Sequence, residues 1–180
     1  MVPLSNQFPS RGARLKRLAG NIEALAGKDE KLFRRAREIK ALRRTAAVAL
    51  HRVCSGFVNS LNPLMAASRL SLDPLDFSES TFRDEAPNLI QIGVRGRILQ
   101  VAFEATPELV STEDFRIPYT LAGSIRAFNQ ELLDKDLIEE QLLFYTLEKA
   151  GNLWRFFDAR TYHSGPFGED YLVALMEQLV

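Results

Sequence analysis

Apolar residues recur in steps of three and four along the first third of the chain, which is typical of an amphipathic α-helix. Between Leu15 and Ser60, eleven of the fourteen heptad a and d positions are apolar. The apolar positions are Leu15, Leu18, Ile22, Leu25, Leu32, Ala36, Ile39, Ala46, Leu50, Val53 and Phe57, and the exceptions are Asp29, Arg43 and Ser60. The pattern predicts a helix that begins after Ser10, its N-cap, and ends before Pro63.

A glycine within this helix leaves two arrangements open. Either Gly27 ends one helix and Asp29 caps the next, or one long bent helix continues through both residues. The surroundings of the apolar positions also change along the helix. They are rich in charge from Lys28 to Arg44, and small or apolar from Thr45 to Val58. A helix whose apolar residues extend around much of its circumference is buried on several sides. We therefore expect Val48, Leu50, Val53 and Phe57 in the core, and Leu15 and Leu18 outside it.

Beyond an acidic, proline-containing connector at residues 63–88, the pattern changes to alternation, which is typical of strands. Arg95-Gly96 predicts the turn of a first hairpin, closed by Pro107, and Asp134–Asp136 predicts the turn of a second. Residues 139–143 also fit a helix. The predicted strands cover residues 89–94, 97–103, 115–117 (ended by Pro118), 124–128, 141–147 and 153–159, with a loop at 162–168 and a short amphipathic helix at 169–180.

Helices segregated from a run of strands indicate an α+β fold. We predict a long N-terminal helix, or two near-collinear helices, packed on an antiparallel sheet of about five strands, with a short C-terminal helix. Residues 1–62 form the basic helical segment, with its second half in the core. Residues 63–88 form the connector, and residues 89–180 form the sheet and the last helix. A length of 180 residues suits a single globular domain.

The zero net charge of the chain hides a strong asymmetry. Residues 1–54 carry 13 basic and 4 acidic side chains, whereas residues 55–180 carry 10 basic and 19 acidic side chains. A basic arm of this kind indicates binding to a polyanion, to a protein partner or to the acidic part of a second copy. The acidic remainder argues against a nucleic-acid footprint over the whole protein. We expect a two-fold dimer in which basic regions face acidic regions.

Cysteine usage and hydropathy indicate a cytoplasmic protein. Cys54 is the only cysteine, so no disulfide forms within the chain. Residues 1–9 have no apolar signal region, and the longest apolar stretch, residues 46–58, is too short for a transmembrane segment.

Few side chains have the types and spacing of a catalytic or metal-binding site. His51, Cys54 and His163 are potential zinc ligands, but the chain has no paired ligand spacing, so we predict no metal and no cofactor. His163-Ser164 near Asp158 has the residue types of a hydrolase without a G-x-S-x-G elbow. We therefore favour a non-catalytic protein over an enzyme.

We predict a binding or interaction module that contacts a protein partner or a second copy through its basic N-terminal helix. Its surface consists of Leu15, Leu18, Ile22, Leu25, Arg34, Arg35, Arg37 and Arg44. One alternative is a small-ligand or enzymatic fold with a pocket between sheet and helix, lined by Phe144, Trp154, Phe156 and Tyr162. A second alternative, less favoured, is attachment to nucleic acid or an anionic surface through the Arg/Lys-rich helix.

Overall fold

The computed structural model describes residues 10–110, 116–129 and 139–180. A single helix, α1, spans Arg11–Leu61 without a break at Gly27, so the one-helix alternative is correct. The Ser10 hydroxyl accepts a hydrogen bond from the Ala13 N–H at 3.3 Å, in the manner of an N-cap. A single 3-10 turn containing Pro63, Asn62–Leu64, follows the helix.

The chain divides into two compact units between Ile39 and Lys40. In the first unit, every described residue up to Glu38 is exposed. In the second unit, α1 becomes buried at Ala46, and Leu50 and Phe57 belong to the core as expected, whereas Val48 and Val53 are half-buried.

The second unit contains one antiparallel sheet of seven strands rather than the predicted five or so. The strands follow one another in chain order, so each pairs with its sequence neighbour. They are β1 (Ser71–Asp73), β2 (Asn88–Val94), β3 (Arg97–Val110), β4 (Tyr119–Asn129), β5 (Glu139–Thr146), β6 (Leu153–Asp158) and β7 (His163–Pro166). The additional strands, β1 and β7, form the two edges of the sheet.

Proline did not end strands where we predicted it would. β3 runs through Pro107 to Val110, and its register with β4 shifts between Ala105 and Val110. Because proline has no N–H to donate to the ladder, an irregularity at this point is the ordinary way to accommodate it. Arg116 and Ile117 are not in a strand, and β4 begins directly after Pro118. Phe115 and the predicted turn at 134–136 lie outside the described residues. Residues 139–143 are extended, not helical.

The core lies between one face of the sheet and two helices, the α1 residues after Lys40 and α2 (Glu169–Leu179). Alternate residues of the central strands face it, including Ile92, Leu99 and Leu143, none of which is measurably exposed. From α2, Leu172, Leu175 and Met176 are buried, as the amphipathic pattern predicted. The Trp154 indole N–H donates to the carbonyl oxygen of Ala46 at 2.7 Å, which ties β6 to α1.

Candidate functional site

The apolar heptad positions of α1 are exposed throughout the first unit. We call Leu15, Leu18, Ile22, Leu25 and Leu32 the exposed seam, and their exposed fractions lie between 54% and 66%. Phe33, next to Leu32 in the chain, is 65% exposed. The residues of the exposed seam occupy heptad positions a and d, as do Ala46, Leu50 and Phe57 further along the helix, where the side chains are buried. Exposed apolar side chains that share one side of a helix are typical of an interaction surface.

The residues that border the first part of the exposed seam are small or uncharged. Ala19 and Ala26 follow seam positions by one residue, at heptad position e, and Asn21 precedes one, at position g. The charged Lys16, Arg17 and Glu23 fall at the outer heptad positions b and c. Another helix can therefore approach this stretch closely without bringing like charges together.

The arginines predicted for the interaction surface have different surroundings. Arg34 and Arg35 are exposed. Arg37 lies 3.3 Å from the Glu30 carboxylate, and both side chains are well exposed, so the pair contributes little to stability. Arg44 is half-buried in the second unit, and its guanidinium donates to Asp84 at 2.8 Å, which raises the pKa of Arg44. The structure thus gives Arg44 a partner within its own chain.

Arg43, which interrupts the heptad pattern, has a structural role that the sequence reasoning missed. Its guanidinium donates to the backbone oxygen of Thr120 at 3.1 Å, to the Thr120 hydroxyl at 2.8 Å and to the backbone oxygen of Thr106. Desolvation lowers the pKa of Arg43. It joins α1 to β3 and β4 beside the irregularity in β3. A lone arginine at a position that is otherwise apolar was the available signal.

Of the four aromatic residues predicted to line a pocket, three lie on the two faces of the sheet and one lies in a turn. Trp154 and Phe156 face the core, where Phe156 stacks on Tyr171 of α2 with ring centroids 3.9 Å apart. Phe144 pairs with Arg155 across β5 and β6, so it points to the opposite face, where it packs on Tyr119. Tyr162 is 65% exposed in the turn before β7. The structure does not bring these four side chains together.

The three potential zinc ligands are separate. The His51 ring nitrogen Nε2 lies 2.8 Å from the carbonyl oxygen of Pro74, so it must carry the proton and donate. Cys54 is buried in the core, and desolvation raises the pKa of its thiol to about 12. His163 is exposed on β7. Within residues 10–110, 116–129 and 139–180, no three His, Cys, Asp or Glu side chains are grouped to hold a metal ion.

His163, Ser164 and Asp158 do not form a nucleophilic triad. Asp158 is paired with His163 across β6 and β7, so these two side chains share a face of the sheet. Ser164 pairs with Phe157, on the other face. The Asp158 carboxylate accepts the backbone N–H of Arg160 at 2.9 Å, and this bond is the main reason that its pKa is lowered. Asp158 therefore shapes a turn.

The second unit has surface grooves that sequence reasoning did not anticipate. One, of about 310 Å³, lies over β1 to β3, with Gly93 in its lining and Arg69 and Arg95 around it. Two others, of about 380 and 360 Å³, flank the connector on either side of Phe77. All three have Asp73 or Asp76 in the lining, so none has a purely basic or apolar character.

Comparison with known proteins gives no relative for this chain: no protein-family model, no curated protein and no solved structure matches it. Among the described residues, no helix is both long enough and apolar enough to cross a membrane. The exposed seam is therefore the strongest functional feature that the geometry itself provides.

Proposed function

We propose that this chain is a non-catalytic interaction module that associates with a second copy of itself through the exposed seam. The observation that carries the proposal is the exposure of more than half of each of the large side chains Leu15, Leu18, Ile22, Leu25 and Leu32. Apolar residues at heptad spacing do not stabilise a helix whose apolar side stays in contact with solvent. They stabilise an association when another surface covers them.

The magnitude of the apolar effect supports a weak association. Burying the exposed half of a leucine or isoleucine side chain is worth on the order of 1 kcal/mol. A symmetric contact counts every seam residue twice, so the total is comparable with the roughly 4–15 kcal/mol that association costs. Because gain and cost are similar, we expect a weak dimer that dissociates on dilution.

The single cysteine supports a reducing compartment as the location of the protein. Cys54 is buried and free, and no second cysteine exists in the chain, so no disulfide stabilises the fold. This supports the cytoplasm as the location of the dimer.

Light scattering across a range of protein concentrations tests the proposal. We expect the mass to move from one copy to two as concentration rises, and the Leu18→Asp variant to remain a single copy at every concentration. Ala24→Asp is the matched control, since it adds the same charge to the same helix at a heptad c position. A wild-type chain that stays monomeric at millimolar concentration would refute self-association.

A second candidate function, attachment to an anionic surface such as nucleic acid, rests on the exposed basic residues of the first unit. Arg34 and Arg35 are exposed and form no ion pair among the described residues. Binding of this kind weakens steeply with salt, because it releases counterions. Titration of a labelled oligonucleotide at two salt concentrations, with the wild-type chain and with Leu18→Asp, distinguishes it from seam-mediated association, because only the latter is abolished by Leu18→Asp.

A further inference from the structure

We propose that the groove over β1 to β3 binds the phosphate ester of a small polyol, such as a sugar phosphate. The groove has a volume of about 310 Å³, at the lower end of the range for small-molecule sites. Gln91 and Gly93 line it and alternate with the buried residues of β2, so it lies on the face of the sheet away from the core. None of the described residues of the first unit contributes to its lining, so the proposal is independent of self-association.

Two arginines lie at one end of the groove. The register of β1 with β2 sets Ser71 opposite Gly93, and its continuation by two residues sets Arg69 opposite Arg95. Both arginines line the groove and are exposed, and neither forms an ion pair among the described residues. Like charges that face each other across two strands are destabilising. An anion bound between the two guanidinium groups would remove this repulsion.

The turn between β2 and β3 does not itself require an arginine. Arg95 has a φ of 47° and Gly96 a φ of 77°, and a type I′ turn needs positive values at both positions. Asparagine, aspartate and glycine are the usual residues at the first of them. A larger side chain held in this conformation costs free energy, and such a residue is a pointer to function. The guanidinium of Arg95, rather than its backbone, therefore explains its presence in the groove.

Gly93 leaves the backbone of β2 open next to these arginines. A Cβ at this position would stand 3.0 Å from the Ser71 hydroxyl oxygen, closer than almost all real contacts of this kind. A glycine within a strand often marks a place where a ligand approaches the backbone closely. The Ser71 hydroxyl donates to the Gly93 carbonyl oxygen at 3.2 Å, and its own oxygen can still accept a hydrogen bond from a ligand.

The other end of the groove is suited to hydroxyl groups. Asp73 and Gln91 pair across β1 and β2, and Asp73 lies about 13 Å along the strand from Arg69. At this distance the Asp73 carboxylate leaves the charge of the arginines in place, and it forms no ion pair among the described residues. A carboxylate accepts hydrogen bonds, whereas an amide both accepts and donates them, so together they can bind neighbouring hydroxyls of a polyol.

Charge and lining together select the class of ligand. A phosphate monoester carries about two negative charges at neutral pH, which matches the two guanidinium groups, and arginine binds phosphate through paired hydrogen bonds. A carboxylate carries only one charge. Among the described residues that line the groove none is aromatic, so a nucleotide base would have no ring on which to stack. A sugar phosphate satisfies both ends of the groove without a base.

Isothermal titration calorimetry with glucose 6-phosphate, glucose and inorganic phosphate tests the proposal. We expect glucose 6-phosphate to bind more tightly than inorganic phosphate, and glucose to give no measurable heat. Arg69→Gln and Arg95→Asn should each weaken the binding of glucose 6-phosphate by about tenfold or more, because each removes charged hydrogen bonds. Asparagine suits the backbone of residue 95, and Trp154 fluorescence checks that each variant is folded. Arg34→Gln is the matched control, since it removes an exposed charge from the first unit, and it should leave the affinity unchanged.

Four other results would each overturn the proposal. Affinity that falls in Arg34→Gln and persists in Arg95→Asn would place the anion on the basic helix. Equal affinities for glucose 6-phosphate and inorganic phosphate would show that the groove does not recognise the polyol. Binding that survives in both groove variants would place the ligand elsewhere, and no binding at millimolar glucose 6-phosphate would remove the site. A wild-type chain that stays monomeric refutes self-association and leaves these expectations unchanged.

Discussion

The two halves of α1 carry the same pattern and meet different environments. From Leu15 to Leu32 the apolar heptad positions hold leucine and isoleucine at high exposure, whereas further along the helix Ala46, Leu50 and Phe57 occupy the same positions and are buried. Helix continuity does not distinguish them, because α1 has no break. Periodicity therefore reports which side of a helix is apolar, and only the strands and their side chains decide which stretch of that side is covered.

Residue size contributes to the contrast at one place. Beside the sheet, Ala46 and Ala47 let the helix backbone approach closely enough for Trp154 to donate to the carbonyl oxygen of Ala46. Size does not account for the rest, because Leu50 and Phe57 are at least as large as the seam residues and are buried. Packing against the sheet, and not side-chain volume, therefore separates the two halves.

The largest expected effect comes from the same substitution made in each half of α1. Phe57→Ala should cost about 3–5 kcal/mol of unfolding free energy, because it empties a site in the core that is only 4% exposed. Phe33→Ala should change the unfolding free energy by less than about 0.5 kcal/mol at concentrations where the chain is monomeric. Urea titration followed by the fluorescence of Trp154, the single tryptophan, measures both. Equal losses would show that the two halves are buried alike.

Arg43→Met sharpens the comparison at the border between the halves. It removes the donors to the backbone oxygens of Thr106 and Thr120 while keeping much of the side-chain volume. We expect a loss of about 1–3 kcal/mol, the contribution of hydrogen bonds from a charged donor. Arg35→Met, at an exposed position of the first unit, is the matched control and should be nearly neutral. A neutral Arg43→Met would mean that water replaces the guanidinium without cost.

Gly27→Ala probes the exposed half alone. Apart from the adjoining backbone of the helix itself, no atom lies within 4 Å of the place where the new Cβ would stand, so the change adds helix propensity without a clash. We expect the helix around residue 27 to gain about 0.8–1 kcal/mol. Hydrogen exchange measured by mass spectrometry should show slower exchange in residues 20–34, with no change in β2 to β6. Unaltered exchange near residue 27 would contradict a continuous helix there.

The smallest expected effect on folding comes from Leu25→Ala. Alanine is the best helix former and the Leu25 side chain is 59% exposed, so the monomer should change by under about 0.5 kcal/mol. The dissociation constant of the dimer should nevertheless rise several-fold, since each dimer loses two leucines from its interface. Sedimentation equilibrium checks this, with Ala24→Gly as a control that weakens the helix at an outer position. A dimer unaffected by Leu25→Ala would place the contact away from the seam.

The elements that could be predicted from the sequence are those with a local pattern. α1, α2 and the hairpin at Arg95-Gly96 each have a clear period or a turn signal, and each was found. The edge strands were missed for different reasons. β1 has three residues and only one apolar side chain, Leu72, and β7 consists of His163-Ser164-Gly165-Pro166, whose composition is that of a turn. Both are extended because a neighbouring strand offers hydrogen bonds, which no local propensity records.

The candidate functional residues also include some that could be predicted from a local pattern and others that could not. The exposed seam was predictable because it depends on helical period alone. The aromatic pocket depended on which face of the sheet each ring occupies, and this depends on strand register, since a shift by one residue reverses every side chain. Phe144 pairs with Arg155 rather than with Trp154, so its ring lies on the face away from the core. The partners of Arg43 lie 63 and 77 residues away in the chain and depend on the assembled sheet.

The hydrogen bond between Trp154 and Ala46 joins residues 108 positions apart, and this separation matters while the protein is being made. Translation proceeds at roughly 5–20 residues per second, so Ala46 precedes Trp154 out of the ribosome by roughly 5–20 seconds. The strands β2 to β5 also contribute core residues and are made before β6, so the half of α1 that belongs to the core can begin to be covered before this hydrogen bond forms. The first unit remains exposed even in the finished protein. Until the core half is covered, neighbouring nascent chains on one messenger RNA expose more of the apolar side of α1 than finished proteins do.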